Sequence, residues 1–206
     1  MAVVLSKHSA AAAVIGKILL DYTQLEFAFC QCVGSALNDQ EAAIRCMFRL
    51  RGGDVRIQVG DAICRPRYDG IGMKDAYDAG LGALRYATKI RNQYAHAQWV
   101  DWDESNLCFV DLEKVARTAV GSMLVNLNRV DLQLLQNQEK YMEYSSDWLW
   151  HLHSMFEQKA NRSPNYVFPP PKIIEQPNLH NPPSPQPPSA AAGAASDPGS
   201  SPEKAR

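Results

Sequence analysis

The chain has 206 residues, a formal net charge of −1 and a pI of about 6.5, which excludes a generic polyanion binder. Twelve of its thirteen prolines lie at or beyond Pro164, which predicts a globular domain over 1–162 and a disordered Pro/Ala/Ser-rich tail over 163–206. No run reaches ~18 apolar residues, so no membrane span is expected. Five cysteines with no C-x-x-C pair and no metal-ligand spacing predict free thiols, a cytoplasmic protein and no metal or cofactor.

Lys7 followed by an apolar stretch faintly imitates a signal peptide, but the run breaks at Gly16-Lys17 and continues as an amphipathic pattern. Over 9–37, Ile15, Leu19, Tyr22, Phe29, Val33 and Ala36 recur at a three-four spacing that places them on one helical face. Glu26 falls on the same seam. It either slides to the helix edge and reaches water or pairs with a buried arginine, because an unpaired buried carboxylate is expensive.

Asn38 followed by Glu41 resembles a capping box and predicts a second helix over 39–50, stopped by Gly52-Gly53. A short helical piece over 55–64 is followed by Arg65-Pro66-Arg67 and Gly70-Ile71-Gly72, which read as a connecting loop. Helical spacing returns over 74–97 through Tyr77, Leu81, Leu84, Ala87 and Tyr94, with Gly80 and Gly82 weakening its middle.

From Trp99 to Asp111 the apolar period shortens to two around the turn-forming Glu104-Ser105-Asn106, which predicts a small hairpin. Beyond Asp111 a helical pattern continues to about 160 through Val115, Ala119, Met123, Leu127, Val130 and Leu134. Unbroken, it would span about 70 Å, too long for a compact bundle. A break falls near 126–131 or 136–138, or the far end protrudes towards a partner. The fold class is therefore all-α, a bundle of four or more helices with a small β-hairpin insertion and a Pro-rich tail.

One hexapeptide, Arg91-Asn92-Gln93-Tyr94-Ala95-His96, carries chemistry near the end of a predicted helix. Asn92 and His96 are four residues apart and project from nearly the same face, with Arg91 about a third of a turn round. Arginine offers a forked cation that matches phosphate, histidine moves a proton near neutral pH, and asparagine orients either. That set suits phosphoryl transfer without a metal, the arginine doing the charge neutralisation. A surface arginine and a histidine capping terminal carbonyls would give the same pattern.

R-N-x-x-x-H near a helix end, in an all-helical domain whose first helix is long and amphipathic, resembles the HEPN superfamily. The resemblance implies a bundle that dimerises so that two motifs face one composite cleft, and an RNA endonuclease of toxin–antitoxin, phage-defence or stress systems. It assigns Arg91 to the scissile phosphate, His96 to proton transfer and Asn92 to orientation; Glu26 and Tyr94 are expected to support them. Attack by the 2′-hydroxyl would leave a 2′,3′-cyclic phosphate and a 5′-hydroxyl, a route open only to RNA. The partners it implies are a second copy of the chain, RNA or a nucleotide, and an antitoxin or other regulatory protein. Gln98 stands where some members carry a tyrosine that is modified. The alternative within this resemblance is a non-catalytic RNA- or nucleotide-binding or dimeric scaffold protein.

Between Arg45 and Arg91 there are ten basic and five acidic residues. Arg45, Arg49, Arg65, Arg67, Arg85 and Lys89 are accordingly expected to guide RNA towards the motif, or else to be solvated helix faces with local ion pairs. His151 and His153 diverge by about 200° on a helix, as do Trp148 and Trp150 and also Cys30 and Cys32, so neither a shared metal nor a redox pair is expected from them.

Overall fold

In the computed structural model, residues 2–100, 106–112, 115–116, 127–160, 162 and 167–182 are described. Helices dominate: α1 (Ala2–Lys7), α2 (Ser9–Leu37), α3 (Gln40–Met47), α4 (Gly53–Gly70), α5 (Lys74–Ala95) and α6 (Leu132–Lys159). A small antiparallel sheet inserts between α5 and α6, built from β1 (Ala97–Val100), β2 (Leu107–Asp111) and β3 (Asn128–Val130) in the order β1-β2-β3. Among the described residues no helix is long and apolar enough to cross a membrane.

α2 is the central element, packed on α3, α4, α5 and most extensively on α6. Ile15, Tyr22, Phe29, Val33 and Ala36 of its expected seam are buried, Leu19 is only partly so, and Ile18 and Leu25 join the buried face. Asn38 ends the helix in the left-handed conformation (φ 57°), which its short polar side chain tolerates. The cap of α3 is therefore Asp39 and not Asn38: the Asp39 carboxylate accepts the Ala42 amide at 2.9 Å, and α3 stops at Met47, short of the expected 50.

The larger correction concerns α4. Arg65-Pro66-Arg67, expected in a loop, lies inside a helix that runs on to Gly70. Pro66 faces outward in the last turns, while Cys64 and Tyr68 on either side are fully buried and hold the helix against the core. Gly72, with φ +70°, then turns the chain into α5.

The hairpin forms with Trp99 opposite Phe109, but the sheet has a third strand that the sequence pattern had absorbed into a helix. Leu107 pairs with Val130 and Phe109 with Asn128, so the long helical stretch breaks at the nearer of the two expected places. Asp131 then caps α6, accepting the Leu134 amide at 2.7 Å. Ala119 and Met123 lie outside the described residues.

Part of the expected tail is ordered against the helices. Residues 167–182 run as an extended arm across α6 and α5, returning to the sheet where Asn181 bridges Arg129. The Tyr86 hydroxyl donates to the Pro177 carbonyl, and the Asn181 amide donates to the Arg129 carbonyl at 2.7 Å. The expected tail over 183–206 lies outside the described residues. The five cysteines form no disulfide, and burial pushes the Cys30 thiol up to about 11 and Cys32 to about 12.

Candidate functional site

The hexapeptide occupies the last turn of α5 and its cap, and its polar residues divide between a cleft and the packing around it. Asn92 and His96 line one solvent-open cleft of about 310 Å³, together with Lys89, Gln93, Asp54, Phe109, Asp111, Asn128, Leu179 and His180. That volume lies at the lower end of the ~300–1,000 Å³ range of small-ligand sites. His96 also closes the helix, its amide donating to the Asn92 carbonyl at 3.3 Å. Motif and cap are thus the same residue. The α5 C-terminus, the sheet, the start of α4 and the arm all contribute to the walls.

Arg91 is half-buried and does not line the cleft itself. Its guanidinium lies over the Tyr22 ring, 5.2 Å from the centroid, and donates to Asn92 Oδ1 at 3.1 Å. Stacking on an aromatic face while one N–H binds a cleft residue uses the planar fork in a way lysine cannot reproduce. Among the described residues Arg91 has no carboxylate partner, unlike Arg45, Arg56, Arg65, Arg85 and Arg162. Burial raises the Tyr22 hydroxyl above its ordinary range, so this platform stays neutral; its hydroxyl lies 3.4 Å from Thr88 Oγ1.

Gln93, on the cleft wall, and Tyr94, outside it, hold the arm. Gln93 Nε2 donates to the Leu179 carbonyl at 2.9 Å. The Tyr94 hydroxyl donates to Gln138 Oε1, and Gln138 Nε2 donates to the carbonyls of Asn178 (2.6 Å) and Leu179 (3.0 Å). Burial raises the Tyr94 hydroxyl well above its usual range, partly opposed by its hydrogen bonds to Gln138 and Gln93. Its ring stacks on Trp99 (6.0 Å, 14°) and meets Phe109 edge-on, which seats the sheet on the end of α5. The support expected of Tyr94 is therefore given to the arm and the sheet.

Glu26 takes the second of its two expected options. It pairs with Arg56 at 2.7 Å, both side chains largely buried, and Arg56 also donates to the Leu50 carbonyl at 3.0 Å and covers Phe48. The pair ties α2 to α4, one helical turn along α2 from the Tyr22 platform, and does not touch Arg91.

The arginine-rich segment does not converge on the motif. Arg65 is held by Asp78 (2.6 Å) and Asp61 (3.0 Å), Arg85 by Asp61 (2.9 Å), and Arg45 by Glu41. Arg67 lines a different cleft beside Asn38, Ile71, Phe156 and Arg162, and Arg49 is exposed on the turn after α3. Of the six, only Lys89 reaches the cleft of His96. Local ion pairs at i,i+4 and between neighbouring helices absorb the excess charge, the simpler of the two readings of the sequence.

His151 and His153 diverge as the helical angle requires. His151 Nδ1 meets the Phe168 carbonyl at 2.6 Å and His153 Nδ1 meets Ser35 Oγ at 2.8 Å. Sequence reasoning missed the cleft residues Asp54, Asp111, Asn128, Leu179 and His180. The one local signal was the polar Asn178-Leu179-His180-Asn181 interrupting the proline-rich stretch.

No protein-family description, no curated protein and no solved structure matches this chain.

Proposed function

We propose that this chain is a HEPN-like, metal-independent RNA endonuclease that works as a homodimer. The observation that carries this reading is the cleft lined by Lys89, Asn92 and His96 beside a half-buried arginine with no carboxylate partner among the described residues. A cation so placed favours an anion nearby, and the histidine supplies proton transfer where that anion would sit. Asp54 and Asp111 make the wall mixed in sign, so affinity for RNA rests on Lys89, Arg91 and ribose contacts from Asn92 and Asn128, not on bulk positive charge.

In this reading the 2′-oxygen attacks the adjacent phosphorus, Arg91 and Lys89 offset the charge growing on the non-bridging oxygens, and His96 moves a proton. Purified full-length protein incubated with mixed RNA in EDTA is expected to yield 2′,3′-cyclic phosphate ends. His96→Ala is expected to abolish the cleavage with helicity and oligomeric state unchanged. Cleavage that persists in that variant overturns the assignment.

The non-catalytic alternative draws on a separate observation, that the Arg91 guanidinium is tied to Tyr22 and Asn92 and not extended into the cleft. RNA or nucleotide retained without turnover, and weakened by Arg91→Ala, would select it.

A further inference from the structure

His180 comes from a segment whose composition suggested a solvated tail, yet its backbone is among the most firmly held of the arm. The carbonyls of Asn178 and Leu179 before it accept from Gln138 and Gln93. Asn181 after it is fixed to Arg129 and Asp131. Between these clamps the His180 side chain is exposed and stands on the wall of the same cleft as His96, Asn92 and Lys89. A pinned backbone beneath an exposed imidazole presents that side chain to a ligand, since the backbone entropy of ordering the segment is already lost.

We propose that His180 is the second imidazole of this site, the general base to which the 2′-hydroxyl loses its proton; this rests on the RNA-cleaving reading above. The tautomer follows from its neighbour. His180 Nδ1 lies 3.3 Å from the Asn181 carbonyl, which can only accept, so in the neutral ring Nδ1 carries the hydrogen and Nε2 the lone pair. His96 is then left to act as the acid.

The step balances on these two groups. The 2′-O–P bond forms as its proton passes to His180 Nε2, and the P–O5′ bond breaks as His96 gives a proton to the departing oxygen. The products are the cyclic phosphate and a 5′-hydroxyl, and exchange with water restores both imidazoles. The ionisable groups around His180 are Lys89 from α5, His96 at its cap, Asp54 from α4 and Asp111 from β2, with Arg129 and Asp131 behind its backbone.

The test is the pH–rate profile of the full chain on end-labelled mixed RNA in EDTA. The parent is expected to give a bell, its acid limb requiring a deprotonated base and its alkaline limb a protonated acid. His180→Gln is expected to lose about 10²-fold or more in rate together with the acid limb, at an unchanged melting temperature. Added imidazole is expected to restore part of the rate to His180→Gly. Asn181→Ala, which loosens the arm, is expected to scale the rate down while both limbs remain. If the parent cleaves and His180→Gln keeps both limbs at a rate within about threefold, less than a general base contributes, the assignment to His180 falls and the nuclease reading stands. A parent that leaves RNA intact overturns both.

Discussion

Asp131 and Asn181 hold each other by two reciprocal hydrogen bonds. The Asp131 amide donates to Asn181 Oδ1 at 2.9 Å, and Asn181 Nδ2 donates to Asp131 Oδ2 at 2.8 Å. Asp131 at the same time caps α6 with its other carboxylate oxygen. One residue thus starts the last helix and anchors the chain that returns over it.

Asn181→Ala is therefore expected to destabilise the protein by about 1–2 kcal/mol, the loss of two part-buried hydrogen bonds of which one is to a charged group. The effect should be local. Hydrogen exchange should show faster exchange at the Asn181 amide and in the arm with the α2 core unchanged. Equal acceleration in α2 would show that the arm is part of the global folding unit.

Gly60 sits where α4 crosses α2, and a methyl group there would come 2.6 Å from Phe29 Cζ and 3.2 Å from Val33 Cγ2. Phe29 is 2 % exposed and has no room to yield. Alanine gains up to about 1 kcal/mol in helix propensity, but overpacking a closed core costs about 1–3 kcal/mol. Overpacking wins, so Gly60→Ala should lower the melting temperature, whereas Gly82→Ala, with open space around it, should raise it slightly.

Arg91→Lys separates charge from geometry. Lysine keeps the cation but loses the fork that bonds Asn92 while lying over Tyr22. RNA cleavage should fall about 10²–10³-fold in Arg91→Ala, the range for losing one transition-state donor, and by nearly as much in Arg91→Lys. A lysine variant that retains parental kcat would show that charge alone suffices.

His153 is predicted to make stability fall in mild acid. Burial against α2 lowers its pKa below the ordinary 6.5, so the unfolded chain binds a proton more readily than the folded one. Its contribution is complete above about pH 6.5 and is lost as pH falls from there through the folded value. Urea titrations at a series of pH values should show this slope in the parent and a flatter one in His153→Gln. An equal slope in both would assign the effect elsewhere.

The helices that carry the core were legible because burial imposes a period on long segments, as in the Ile15-Tyr22-Phe29 seam of α2 and the Tyr77-Leu81-Leu84 face of α5. β3 was not, since three residues are too few to show a period and Val130 satisfies a helical spacing equally well. Pro66 misled because proline disfavours a helix by local sterics, while the buried Cys64 and Tyr68 that outweigh it are tertiary facts.

At the site, the hexapeptide led to Asn92 in the last turn of α5 and to His96 at its cap, four positions on and lining the same cleft. The expected guidance from Arg65 and Arg85 failed because their acids, Asp61 and Asp78, come from positions that only helix packing brings near. The arm was the least readable part. An extended proline-rich chain makes no internal hydrogen bonds, so its course is decided by Tyr86, Gln93 and Gln138, donors that lie far away in sequence.

That distance has a consequence during synthesis. Gln93 and Leu179 are 86 residues apart, and a ribosome adding roughly 5–20 residues per second needs about 4–17 s to pass from one to the other. Throughout that interval the nascent polypeptide carries His96 on an unfinished wall. A chain that stops between those codons lacks Leu179 and His180, and so leaves the groove without the wall that the arm supplies.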